Sequence, residues 1–170
     1  SSLFRQFLID SSCSIYKSIF NMLKKDFNYT MISEEKRLNE EIDSELFWVV
    51  DPVDGTHNYI SGLPNFGVSI ALANKQEFLL GVIYLPFFEE LYFATKTSGS
   101  YLNDERINVS NNGDFQKAML AYDNQFHLSK DSFSNYQKVI SQSFTTRILG
   151  SAIYDLSLIA SGRIDARIFN

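Results

Sequence analysis

The chain has 170 residues, 45% of them hydrophobic and 21% charged, with three prolines and eight glycines. That is enough apolar material for a core of about one domain, and it excludes a disordered, collagen-like or disulfide-scaffold protein. Fifteen Lys and Arg against twenty Asp and Glu leave a net charge of −5, so no basic surface announces a polyanion and no direct nucleic-acid partner is expected. The single cysteine, Cys13, cannot close an internal disulfide, which suits a reducing compartment. The longest apolar runs, such as residues 78–85, are too short to span a bilayer. No charged-then-apolar leader is visible, so a cytoplasmic location and no membrane partner are expected.

In chain order, residues 1–10 read as a short helix with Leu3, Phe4, Phe7 and Leu8 on one face. Residues 14–26 read as a second, with Ile15, Ile19, Phe20, Met22 and Leu23 on one face and a polar join at Asp10–Ser14. A strand at 29–33 precedes a charged loop, 34–45, holding six acidic and two basic residues. From Leu46 the pattern turns to β: a buried strand 46–51, then 65–73, 78–85 and 90–95 as an antiparallel meander. Residues 99–102 and 106–109 form a further hairpin about Asn103-Asp104. Another strand at 118–122, a helix at 132–143 and an extended 147–149 follow. Residues 151–161 read as a buried helix with Ile153, Leu156, Ile159 and Ala160 inward and Gly162 as its stop, before a last strand at 164–169. The whole is one continuous α+β unit.

One stretch is chemically specific: Trp48-Val49-Val50-Asp51-Pro52-Val53-Asp54-Gly55-Thr56. A strand delivers Asp51 to its C-terminal end, where α/β proteins place their sites. Pro52 interrupts the ladder and holds Asp51 extended, and Asp54 returns three residues later. Two carboxylates brought together in a tight turn repel unless a cation lies between them, and oxygen-only ligands select a hard ion such as Mg²⁺. Gly55 lets backbone approach an anion, and N–H groups at a helix start can hold phosphate oxygens. Thr56 adds a hydroxyl. The plainer alternative is an Asp-Pro turn capped by Asp54 with threonine as N-cap.

This string resembles the signature of the inositol monophosphatase family of Mg²⁺-dependent, Li⁺-sensitive phosphatases. The likeness continues through Asn58-Tyr59, Gly62-Leu63-Pro64, residues 66–72, Gly81-Val82-Ile83, residues 99–103, and Gly150-Ser151-Ala152 with Asp155, Ala160, Gly162 and Asp165. Upstream, Ile32-Ser33-Glu34-Glu35 resembles the family's Gly-Glu-Glu element. The resemblance implies a layered α/β/α/β sandwich with a largely antiparallel sheet, the sugar phosphatase fold. It implies Glu34, Asp51, the Val53 carbonyl and Asp54 as ligands of two or three Mg²⁺ ions, with Glu34 and Thr56 orienting the attacking water. The N–H groups of Gly55 and Thr56 would hold phosphate, and Gly150, Ser151 and Ala152 would line the polyol pocket. The implied activity is metal-assisted hydrolysis of inositol monophosphate or a related polyol or sugar phosphate, by a homodimer.

Departures at both ends of the chain qualify the likeness. The family's remaining carboxylate ligand sits in a Trp-Asp motif, whereas the only tryptophan here is Trp48, and Phe169 stands where many members carry a substrate-contacting glutamate. Residues 1–170 thus read as a single phosphatase domain lacking its C-terminal portion, metal-binding but catalytically weak as given. A segment also reads as absent between Asp10 and Ser12. Alternatives are a superfamily phosphatase for adenosine bisphosphate or fructose bisphosphate, or a non-catalytic regulatory protein contacting the transcription machinery. His57 reads as a helix-start residue, His127 as solvated, Cys13 as a small buried helix residue and Glu89-Glu90 as exposed charge.

Overall fold

A computed structural model describes residues 2–33, 44–123 and 131–169, with side chains from residue 13 onward. The chain begins with one helix, α1 (Ser2–Asp26). It runs unbroken through the serines at 11, 12 and 14 that suggested a join: serine is only a modest helix former, and docking of the helix onto the sheet overrides that weak preference. Lys24 and Lys25 lie in its last turn, where positive charge complements the helix C-terminus.

Seven strands follow in spatial order β1-β2-β3-β4-β5-β6-β7: β1 (Thr30–Ser33), β2 (Leu46–Asp54), β3 (Gly67–Asn74), β4 (Phe78–Leu85), β5 (Glu90–Thr95), β6 (Gly99–Leu102) and β7 (Glu105–Arg106). Only β1 runs parallel to its neighbour β2; the rest is the expected meander. The β6–β7 turn takes Asn103 and Asp104 through φ 45° and 69°, the left-handed pair a tight hairpin demands and that Asn and Asp tolerate. The strand expected at 106–109 stops at Arg106.

Alternation along the strands decides what covers each face. Trp48, Val50, Ile70 and Leu72 pack with Tyr16, Ile19, Phe20 and Leu23 of α1. Ile83 and Leu85 pack instead with Ile153, which belongs to a helix on the other face. That helix, α4 (Ala152–Ala160), also contacts a second sheet, three parallel strands in the order β10-β8-β9. These are β8 (Met119–Tyr122), β9 (Thr145–Arg147) and β10 (Ala166–Ile168), with helix α3 (Ser132–Ile140) between the first two in sequence. The layers are therefore α1, the large sheet, α4 and the small sheet, as the resemblance implied. No helix among the described residues is long and apolar enough to cross a membrane.

Candidate functional site

The site begins where β2 outruns its expected end. The strand continues past Pro52 to Asp54, but its pairing with β3 slips from Asp51↔Ser69 to Asp54↔Gly67, leaving Pro52 and Val53 as a bulge. The bulge, not a break, re-aims the carboxylates. The Val53 N–H donates to Asp51 Oδ1 at 3.1 Å, and the Thr56 hydroxyl donates to the Val53 carbonyl at 3.0 Å. Gly55 then turns the chain into the short helix α2 (Thr56–Ile60) with φ 78° and ψ 37°. A β-carbon there would lie 2.7 Å from the Asn65 carbonyl oxygen and 2.9 Å from Ser151 Cβ, so both the dihedral and the space require glycine.

From the other side comes the start of α4. Ser151 is its N-cap: the hydroxyl accepts from Tyr154 N–H at 3.2 Å and donates to Asp54 Oδ2. Ile153 N–H donates to the same oxygen at 3.0 Å. Asp54 therefore sits at the positive end of α4, and both its hydrogen bonds among the described residues fall on Oδ2. Asn58 ties the two halves, donating from Nδ2 to the carbonyls of Asn65 and Leu149 at 2.7 Å each. Gly150, with φ 75°, packs directly on that amide.

These groups wall a polar cavity of about 720 Å³. It brings together Asp51, Val53, Asp54, Gly55 and Thr56 with Gly150, Ser151 and Ala152. Glu34 lies outside the described residues, as do His127 and most of the acidic loop. His57 is exposed at the cavity rim, and Cys13 is half-buried rather than buried. Glu90 is not a free surface charge: Arg163 grips it with both guanidinium nitrogens, at 2.7 and 3.2 Å, and Tyr92 donates to it at 2.7 Å. Burial and this carboxylate push the Tyr92 hydroxyl up to about 12.

Sequence reasoning quoted Asp155 only as part of the family likeness and missed Asp123 and Arg167, which line the same cavity as Asp54. Asp155 is fully buried and ion-paired with Arg167. Burial raises its carboxyl to about 6 despite the guanidinium, with the charges of Asp54 and Asp123 adding to the rise. The signal available was an aspartate on the inward face of an otherwise apolar helix. The helix is buried on two sides, Ile153 against the large sheet and Asp155 against Arg167 of the small one, while Leu156, expected inward, is exposed.

The donor set fits a hard cation in kind, since Asp51, Asp54 and the Val53 carbonyl supply only oxygen at one wall. Among the described residues no three His, Cys, Asp or Glu side chains converge to hold a metal.

A four-layer α+β sandwich with a bulged Asp-Pro-x-Asp turn facing a helix N-terminus defines a class of proteins. The comparisons agree on which. The chain belongs to the inositol monophosphatase family, whose model matches residues 9–170. It is 36% identical over 153 residues to the Nus factor SuhB of Pasteurella multocida, covering 88% of this chain and 57% of that protein. It is 36% identical over 141 residues to an inositol-1-monophosphatase of Mesorhizobium japonicum, covering 81% of this chain and 53% of that one. The inositol monophosphatase from Anabaena superposes with a TM-score of 0.87 at 26% identity, over 99% of this chain and 69% of the neighbour. The chain thus spans a little over half the length of these curated relatives.

Proposed function

We propose that this chain carries the metal- and phosphate-binding portion of a Mg²⁺-dependent phosphomonoesterase for inositol monophosphate or a related polyol or sugar phosphate. The observation that carries the reading is convergence: Asp51, Asp54, Gly55 and Thr56 share one cavity with Gly150–Ala152, nearly a hundred residues away in sequence. Asp51, the Val53 carbonyl and Asp54, with Glu34, would hold the ion. When bound, Mg²⁺ supplies an acidified water and neutralises charge at the phosphate.

The chain's own residues do the rest. The Gly55 and Thr56 amides lie at the first positions of α2, where a helix provides N–H groups with no internal partner, and would hold phosphate oxygens. The Thr56 hydroxyl hydrogen is committed to the Val53 carbonyl, so its oxygen is turned into an acceptor for a water proton. Glu34 is assigned the partner role in orienting that water. Gly150, Ser151 and Ala152 border the side where the polyol would sit. Two or three ions, lithium sensitivity, a homodimer and a cytoplasmic setting belong to the same proposal.

The test is phosphate release from inositol 1-phosphate with Mg²⁺ or EDTA, beside fructose bisphosphate and adenosine bisphosphate. Metal-dependent release, greatest with the monophosphate, is expected; none with any substrate would remove the enzyme reading. The name Nus factor carried by a 36%-identical relative favours a second reading, a regulatory protein on this fold. Binding to RNA polymerase that survives Asp54→Asn would support it.

A further inference from the structure

Arg167 sits at an unusual junction. It projects from β10, its side chain is 8% exposed, and it reaches both α4 with its cap and the segment after β8. Its guanidinium pairs with Asp155 in α4, reaches Asp123 after β8 at 3.8 Å, and donates to the Ser151 carbonyl at 3.3 Å. The group is stacked 4.7 Å over the Phe169 ring. The cluster is costly to bury: Arg167 Nε and Asp155 Oδ1 are both buried with no hydrogen-bond partner among the described residues. A buried ion pair of this kind gives little net stability over apolar residues of similar size, so its value lies in what it fixes.

What it fixes is Ser151. One end of that residue, the carbonyl, is held by Arg167; the other, the hydroxyl, is donated to Asp54 Oδ2. We propose that Arg167 is a positioning residue for the metal site. By gripping Ser151 and Asp155 it sets the first turn of α4 so that the Ser151 hydroxyl and Ile153 amide occupy Asp54 Oδ2 and leave Oδ1 for a cation. Lysine, with one compact ammonium in place of a planar fork, cannot reach all of these partners in one geometry. This inference rests on the reading of Asp54 as a metal ligand.

Calorimetric titration of the full chain with Mg²⁺ alone, beside melting curves, tests it. Arg167→Lys weakens Mg²⁺ binding about tenfold, the scale on which groups that orient a ligand act. Leu72→Ala, on the opposite sheet face against α1, lowers the melting temperature and leaves Mg²⁺ affinity unchanged. Ser151→Ala also weakens binding, and adding Arg167→Lys to it costs less than Arg167→Lys alone, because the two act along one line of contacts. If Arg167→Lys does not fold, Phe169→Ala, which removes only the stacking ring, carries the same expectation. A folded Arg167→Lys or Phe169→Ala with wild-type Mg²⁺ affinity overturns the inference alone. A wild-type chain that binds no Mg²⁺ overturns the reading of Asp54 beneath it.

Discussion

The hydroxyl of Ser151 donates to Asp54 Oδ2 across 97 residues of sequence, joining the end of β2 to the start of α4. Both residues gain. Ser151 completes its helix cap by accepting from Tyr154, and Asp54 acquires two donors at the positive end of a helix. The contact makes one site from two halves of the chain.

Asp54→Asn separates chemistry from architecture. An asparagine carbonyl can still accept from Ser151 and Ile153, so the melting temperature stays close to wild type. Mg²⁺ affinity falls by about two orders of magnitude, because a hard cation is held through the charge of its oxygen ligands. Titration calorimetry with parallel melting curves checks both.

Gly55→Ala strikes the turn itself. It forces a side chain into φ 78° and against the Asn65 carbonyl, and should cost about 2–3 kcal/mol in urea unfolding. Wild-type stability would mean that the turn relaxes freely.

Asn58→Asp turns a double donor into an acceptor facing two carbonyls, those of Asn65 and Leu149. A loss of about 2 kcal/mol is expected, since three half-buried acceptors then face one another. Asn58→Ala, which only removes the donor, should cost less.

Asp165 sets an acid limit. Hydrogen bonds from the Ser110 hydroxyl, at 2.5 Å, and from Met119 N–H, at 2.7 Å, hold its carboxyl below the ordinary range. A depressed carboxyl stabilises the fold fully above its unfolded value, about 3.9, and the contribution is lost as pH falls through the folded value. Ser110→Ala should therefore lower stability at pH 6 by about 1–2 kcal/mol and flatten the loss between pH 4 and 2.

Much of the fold is legible in the sequence because its contacts are local. The strands at 78–85, 90–95 and 99–102 are hairpin neighbours bounded by turn residues, and they lie where alternation and turns put them. Residues of the nine-residue string about Asp51 line the polar cavity. What escaped reading is non-local. Leu156 is exposed while Asp155 is buried against Arg167, a pairing that no spacing announces. Likewise the serines near residue 12 signalled a helix join by their own preference, and packing on a distant sheet overruled them. The bulge at Pro52 needed β3 as partner before it could be seen.

Cation binding at the β2 turn is tested most directly by anomalous scattering from crystals of the chain grown with Mn²⁺ in place of Mg²⁺. A peak bounded by the carboxylates of Asp51 and Asp54 and the Val53 carbonyl is predicted. Crystals soaked in Mn²⁺ that show no peak there, or one only at other acidic residues, would contradict it.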